Sequence, residues 1–226
     1  MEIKSVLLVF ATQKEASACY QTSLNIIPGL NIPVKTVITG MGMINAAINT
    51  TLAIKSNKPS LVISVGIAGS YIGKLPVGQT IIHQEDCFPE MGKYLDEKFM
   101  TLDRFLISEN SGLIMQNNSI ASKSFNLQNI DSFTRVKCAT VNTMTTSRGT
   151  AEIIKNSFNA SVETLESGAV LASCLMLKTP FLGIRTISNL CLPPKLAKWD
   201  IDLALRNLNT AVNKLPQLIK SLNDQA

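Results

Sequence analysis

Aromatic residues make up only 5% of the 226-residue chain, which has one tryptophan and one histidine. The histidine, His83 in Thr80-Ile81-Ile82-His83-Gln84, has no Ser or Cys beside it in a recognisable nucleophile motif and reads as a satisfied strand histidine. The cysteines, Cys19, Cys87, Cys138, Cys174 and Cys191, are odd in number and never in C-x-x-C spacing. That pattern argues against a zinc site or a disulfide framework and for reduced thiols in a cytoplasmic setting. No apolar run approaches the ~20 residues needed to cross a bilayer, so no membrane partner is expected. The opening stretch Met1 to Ala11 is too short for a secretion signal with a cleavage site and reads as a first buried strand. The formal charge of +5 is spread out, with no basic run and no interleaved aromatics. Nucleic acid is therefore not an expected partner, whereas an anionic small molecule suits the charge. There is no G-x-x-x-x-G-K-S/T and hence no P-loop.

What is present is a large buried core. Apolar residues are 46% of the chain and the mean hydropathy is +0.20. Strand-like segments fall at 4–11, 34–39, 60–66, 77–84, 136–142, 160–165 and 180–188. Helical patterns lie near 13–24, 43–57, 148–158, 167–178 and 200–222. Near-continuous apolar strands alternating with helices predict an α/β fold with a mostly parallel, twisted mixed sheet between two helical layers. With no repeat, low-complexity tract or long linker, residues 1–226 read as one domain. In the first long helix Ile44, Ala47, Ile48 and Leu52 share a face. In the last, Ile201, Ala204, Leu205, Leu208, Val212 and Leu215 keep the helical period, and Pro216 should kink or divide it. The stretch 85–130 is the least periodic and predicts longer loops with one or two short helices.

Three polar groups fall just past strand ends. Glu15 follows the first strand, Glu166 ends Val162-Glu163-Thr164-Leu165-Glu166, and Asn189 ends Phe181-Leu182-Gly183-Ile184-Arg185-Thr186-Ile187-Ser188-Asn189. Strand ends along one edge of a parallel sheet can share a pocket. Taken singly, Glu15 and Glu166 also suit acids in the first turn of a helix. Gly40-Met41-Gly42 has Asn45 where a dinucleotide fingerprint wants its third Gly, and reads as a tight strand-to-helix turn. Gly66-Ile67-Ala68-Gly69 allows close backbone approach to a ligand, or is simply a glycine-lined turn. Trp199-Asp200 opens the last helix, with Asp200 as its N-terminal acid.

Together these segments resemble the nucleoside phosphorylase/nucleosidase superfamily over nearly the whole chain, and within it the futalosine hydrolases of the futalosine route to menaquinone. The similar segments are the Glu15 region, Gly40-Met41-Gly42, Val65 to Gly69, Leu75 to Gln79, Glu163 to Ala169 and Arg185 to Asn189. The tail Lys198 to Asn209 looks like a futalosine hydrolase signature. Ser188-Asn189 also suits that subgroup, where related adenine-releasing nucleosidases end the strand in Ser-Asp. The resemblance implies a nucleoside phosphorylase-like fold, a homodimer, no cofactor and no metal. It implies that Glu15 activates water, Arg185 helps hold that water, and Glu166 grips the ribose with Leu165 against the sugar. Met144 and Thr145 would lie at the base, Gly66 to Gly69 and Trp199 would line the site, and Ser188 and Asn189 would face the purine. Two departures stand out: Ile67 replaces a hydroxyl residue, and Leu165 replaces Met, a near-isosteric change.

The chemistry agrees with that implication. Hydrolysis of an N-glycosidic bond needs a carboxylate for water, a grip on the ribose and hydrogen bonds on the purine as it gains negative charge. An Asn can donate to O6 of hypoxanthine and accept from protonated N7, whereas adenine mismatches one of those bonds. Hypoxanthine release from futalosine is thus the expected reaction. The alternatives are methylthioadenosine/adenosylhomocysteine nucleosidase activity, which expects Asp at 189, and a nucleoside-binding protein without catalysis. The Thr12-Gln13-Lys14 loop and the Gly66–Ser70 turn contain no Arg for a phosphate, which favours hydrolysis, though Lys14 could bind an anion weakly. For the benzoate of futalosine, Lys195, Lys198 and Arg206, or Arg135 and Arg148, are the candidate cations.

Overall fold

The computed structural model describes residues 2–20, 27–71, 73–95, 98–101, 115, 117–130 and 132–225. Along them run β1 (Val6–Phe10), α1 (Gln13–Cys19), β2 (Val34–Ile38), α2 (Met43–Asn57), β3 (Leu61–Ser70), β4 (Thr80–Cys87), β5 (Gly92–Leu95), β6 (Lys98–Thr101), β7 (Ser119–Ala121), β8 (Thr134–Thr140), α3 (Arg148–Phe158), β9 (Val162–Thr164), α4 (Ser167–Met176), β10 (Phe181–Leu190), α5 (Ile201–Val212) and α6 (Leu215–Asn223). Short 3-10 turns occur at Leu127–Asn129 and Pro194–Leu196. All seven expected strands are present. The expected 13–24 helix stops at Cys19, where Tyr20 is already extended, and its remaining stretch 21–26 lies outside the described residues. In the described part of the aperiodic middle the structure has strands β5, β6 and β7 and a 3-10 turn at Leu127–Asn129, where longer loops with one or two short helices were expected; residues 96–97, 102–114 and 116 of that stretch lie outside the described residues.

The layers follow from alternation along the strands. In β1 all five residues are buried. Val6, Leu8 and Phe10 enter one core with Leu205, Leu208, Val212, Leu215, Leu218 and Leu222 of α5 and α6. Leu7 and Val9 enter a second core with Ala46 and Ile54 of α2 and Val170, Leu171 and Cys174 of α4. A strand buried on both faces needs apolar residues at every position, hence Val-Leu-Leu-Val-Phe. Pro216 divides the C-terminal helix as expected. It lies in the first turn of α6, where a missing N–H costs no helical hydrogen bond.

One helix turns the other way. The Ile44, Ile48 and Leu52 face of α2 points away from the core, with these residues 76%, 55% and 58% exposed. The buried side is instead built of Ala46, Thr50 and Ile54. Small residues there let α2 pack closely on α4, and Ser173 Oγ donates to Ala47 O at 3.2 Å. Both faces of α2 are apolar, so its period fits either orientation.

The main sheet holds eight strands in the order β10-β4-β8-β9-β3-β1-β2, with β7 paired to β4. Parallel pairs join β1 to β2 and β3, β10 to β3, and β8 to β4 and β9. Antiparallel pairs join β4 to β10 and β7, and β9 to β3. Because β10 also pairs with β3, the strands β10, β4, β8, β9 and β3 close a ring. This closure was not expected from the sequence, and it sets the site. The antiparallel β9 returns alongside the end of β3, pairing Glu163 with Gly69, so Glu166 arrives beside β3 from a reversed strand rather than from a common parallel edge.

Candidate active site

A cavity of about 350 Å³ opens where the ends of β1, β3, β8, β9 and β10 converge. Its lining includes Glu15, Ile67, Ala68, Gly69, Met144, Thr145, Leu165, Glu166, Ser188, Asn189 and Trp199. The two remaining sequence candidates, Gly66 and Arg185, line a smaller recess of about 10 Å³ together with Glu15, Ile67 and Glu166. That volume is about one water.

Glu15 is fixed by the way α1 begins. Thr12 caps the helix, its Oγ1 accepting from Glu15 N at 3.2 Å. In return Glu15 Oε2 accepts from Thr12 N at 3.0 Å and from Thr12 Oγ1 at 2.8 Å, a capping box. The other oxygen, Oε1, accepts from Ile67 N at 3.0 Å. A carboxylate oxygen takes two hydrogen bonds, so Oε1 keeps a lone pair. Gly66 makes this approach possible: a Cβ there would lie 2.7 Å from Glu15 Oε1 and 3.9 Å from Arg185 Cζ. One residue thus serves both as an acid in the first turn of α1 and as part of the cavity lining.

Arg185 is 4% exposed. Its Nη1 donates to Ser64 O at 2.7 Å and Ile184 O at 2.8 Å, and its Nη2 to Ser64 Oγ at 2.7 Å. The guanidinium is therefore locked to β3 beside the recess that it lines with Glu15 and Glu166. Burial raises the pKa of Glu166, an effect to which Glu15 adds and which the Gly42 N–H and Arg185 oppose. The Gly42 contact comes from the Gly40-Met41-Gly42 turn, where both glycines have positive φ, 85° and 87°. That conformation aims Gly42 N at Glu166 Oε1, 2.8 Å away. Sequence reading saw a tight turn there but not its partner, 124 residues distant.

A buried polar floor holds the turn from β9 into α4. Thr140 Oγ1 donates to Asp86 Oδ1 at 2.9 Å and accepts from Gly168 N at 2.7 Å, while Thr164 Oγ1 accepts from Ser167 N at 3.3 Å. Ser167 Oγ meets His83 Nε2 at 2.9 Å. His83 is only partly satisfied, since its Nδ1 and Asp86 Oδ2 have no hydrogen-bond partner among the described residues. Burial, with Arg185 adding, lowers the His83 pKa to about 3, and burial raises Asp86 to about 7. Ligating atoms of His83, Asp86 and Cys138 lie within 4.8 Å of one another. The adjacent Arg185 charge opposes a cation, and two of these side chains already serve Ser167 and Thr140.

At the opposite end β10 carries a bulge. Ile187 pairs with Ala68 and Asn189 with Gly69, leaving Ser188 as the extra residue. Such a bulge re-aims the side chains that follow it. Ser188 Oγ lies 2.9 Å from Asn189 Oδ1 and 3.1 Å from Ala68 O, and Asn189 Nδ2 donates to Leu190 O at 3.2 Å. One amide hydrogen and an Oδ1 lone pair remain for a ligand. Met144, half exposed, and Thr145 cover this side.

Sequence reasoning missed Glu163, a buried acid that also lines the cavity. Its Oε1 accepts from Thr145 N at 2.8 Å and its Oε2 from Tyr71 OH at 2.9 Å, which ties the 143–146 loop to β9. Burial raises its pKa against those bonds. Its position three residues before Glu166 was the available signal. The nominated cations Lys195, Lys198, Arg206, Arg135 and Arg148 do not line the cavity. Arg135 donates to Leu127 O at 2.6 Å and Arg148 faces Glu152 at 4.0 Å. Asp200 caps α5 as expected, its Oδ1 accepting from Leu203 N at 2.9 Å.

Known proteins give the same outline. Residues 30–223 match the phosphorylase superfamily. A Bacillus subtilis 5′-methylthioadenosine/S-adenosylhomocysteine nucleosidase is 28% identical over 169 residues, 67% of this chain and 66% of that protein, so the match spans just under two thirds of the relative. The S. pneumoniae nucleosidase, solved with a transition-state inhibitor, is similar with a TM-score of 0.71 at 17% identity, over 96% of this chain and 99% of its own. The futalosine hydrolase of Helicobacter pylori is similar with a TM-score of 0.67 at 14% identity, over 99% of each chain. At such identities the structural likeness speaks for the fold alone, which it shares with the nucleosidases. The match over residues 30–223 goes further: this chain belongs to the phosphorylase superfamily.

Proposed function

We propose that this protein is a purine nucleosidase that hydrolyses the N-glycosidic bond of a 6-oxopurine ribonucleoside, with futalosine the best-fitting substrate and hypoxanthine the base released. The observation that carries the reading is the pair of carboxylates, Glu15 and Glu166, lining both a water-sized recess and the cavity it adjoins. Water in the recess donates to the free lone pair of Glu15 Oε1, gives it a proton and attacks the anomeric carbon, while the purine leaves with the bonding electron pair and takes its proton at N7 from solvent. Glu166 accepts from the ribose hydroxyls. The Arg185 charge favours the ionised form of Glu166. Such groups stabilise an oxocarbenium-like sugar without covalent catalysis.

Hydrolysis rather than phosphorolysis is supported by the lining. Among the described residues Lys14 is the one cation lining the larger cavity, and Arg185 in the recess is already bonded to Ser64. A phosphate needs several cationic donors together. At the base end, the spare amide hydrogen of Asn189 suits O6 and its spare lone pair suits N7–H. A site that loses one such buried pairing discriminates by roughly 10⁴-fold. The second reading, methylthioadenosine/adenosylhomocysteine nucleosidase, is favoured by the Bacillus subtilis relative. We also propose a cytoplasmic homodimer. Five unpaired cysteines suit a reducing compartment, and the outward Ile44, Ile48 and Leu52 face of α2 suits a second copy of the chain.

The test is chromatographic measurement of base release from futalosine, inosine and methylthioadenosine, with and without phosphate. Hypoxanthine should appear without phosphate and adenine far more slowly. Asn189→Asp should shift the ratio toward adenine. Equal release of adenine by the unaltered enzyme rejects the 6-oxopurine assignment, and a phosphate-dependent rate rejects hydrolysis.

A further inference from the structure

We propose that Lys14 selects substrates carrying a carboxylate on the tail attached at the ribose 5′ position, an inference that rests on the nucleosidase reading above. Among the described residues the cavity is lined by three acids, Glu15, Glu163 and Glu166, and by one cation, Lys14. Of these charged groups, Lys14 is the one that attracts an anionic ligand. The side chain is exposed and lines the cavity, so it stands at the rim. No ion-pair partner holds its ammonium among the described residues. The adjacent Glu15 makes no ion pair with it: its carboxylate accepts from Thr12 and Ile67 and keeps one Oε1 lone pair.

Local structure gives no reason for a lysine here. Lys14 sits in the first turn of α1, at the positive end of the helix dipole, where a cation is disfavoured. What lies around it does give a reason. α1 packs on α5, and Ile201 and Leu205 of α5 line the same cavity, together with Leu192, Pro194 and Trp199. An apolar wall with one ammonium at its edge matches a flat apolar body ending in a single negative charge, an aryl carboxylate. The wall holds the body, so one flexible ammonium suffices for the charge. A free phosphate has no such body and needs several donors at once.

The experiment compares kcat/KM for futalosine, its methyl ester and inosine in the wild-type, Lys14→Met and Lys14→Arg proteins, with and without inorganic phosphate. The wild type should prefer the acid to the ester by about two- to fivefold, as an exposed ion pair gives, and added salt should erode the preference. Lys14→Met should bring the acid-to-ester ratio to about one, chiefly through a higher KM for the acid, while Lys14→Arg keeps the preference. An unchanged ratio in Lys14→Met overturns the inference and leaves the nucleosidase reading standing. A rate that phosphate raises in the wild type but not in Lys14→Met also overturns it, assigning Lys14 to a free anion. Failure to release base from any of the three compounds rejects the nucleosidase reading and this inference with it.

Discussion

At the floor of the cavity Glu15 and Arg185 are 7% and 4% exposed and are tied to the backbone of β3 through Ile67 and Ser64. At its mouth Met41, Met144 and Trp199 are 62%, 54% and 51% exposed, and Lys14 has no ion-pair partner among the described residues. The floor is assembled from strand ends and the first turns of helices, where hydrogen bonds fix each polar atom. The mouth is assembled from loops and long side chains that adapt. A reaction needing a water and a sugar carbon in fixed register belongs on the first, and tolerance for a variable tail belongs to the second. Changes at the floor should therefore act on turnover, and changes at the mouth on affinity.

The strongest test of that division is Glu15→Gln. The amide retains the size of the side chain and can still accept from Ile67 N, but it cannot take a proton from water. Loss of a general base costs about 10²–10⁴-fold in rate. We expect kcat to fall within that range while substrate affinity, measured by calorimetry, changes little. If wild type and variant are equally inert yet bind equally, the protein is a nucleoside-binding protein and the floor has no catalytic role.

Gly66→Ala should have a smaller effect of the same kind. The new methyl would stand 2.7 Å from Glu15 Oε1, closer than unbonded atoms approach, so the carboxylate must move. Glu15 is held on its other side by Thr12, and only part of that shift can be absorbed. A displacement well under 1 Å at a reacting group can cost on the order of 10-fold to 10²-fold, and we expect a loss of that size in kcat. Single-turnover kinetics would place the loss on the chemical step. A rise in KM alone would mean that the floor is as adaptable as the mouth.

The floor was also the more legible half in the sequence. Glu15 and Glu166 each follow a buried strand and Asn189 lies near the end of one, and strand ends in an α/β fold are where site residues collect. Their partners were not legible. The Gly42 N–H on Glu166 and the pairing of Glu163 with Gly69 depend on the ring closed by β10 and β3, and no local pattern encodes which strands close a ring. The exposed face of α2 was hidden for a different reason. Periodicity finds an apolar face, but when Ala46 and Ile54 give the helix a second one, only packing against α4 decides which faces inward. At the mouth, closeness in sequence to the C-terminal signature nominated Lys195, Lys198 and Arg206, whereas the cation that lines the cavity among the described residues is Lys14, on a helix distant in sequence that packs on α5. Side chains that are fixed by tertiary contacts rather than by their own segment are the ones a sequence conceals.

Trp199→Ala should have the mildest effect and is the sharpest probe of whether the two ends are separate. The indole is half exposed and lines the cavity, so its loss should change stability little while removing one apolar wall of that cavity. We expect KM for futalosine to rise by about three- to tenfold, more than for inosine, which has no aryl tail to place against the wall. The backbone beside it is another matter. Asp200 N donates to Ser188 O at 2.8 Å and Leu190 N to Ala197 O at 2.6 Å, clipping the 197–200 segment onto the bulged end of β10. The same bulge orients Asn189. If Trp199 anchors that segment as well as walling the cavity, its removal will loosen Asn189, and kcat will fall for inosine and futalosine alike. A fall confined to KM and to the tailed substrate keeps mouth and floor independent, whereas a shared fall in kcat makes the bulge of β10 the element that couples them.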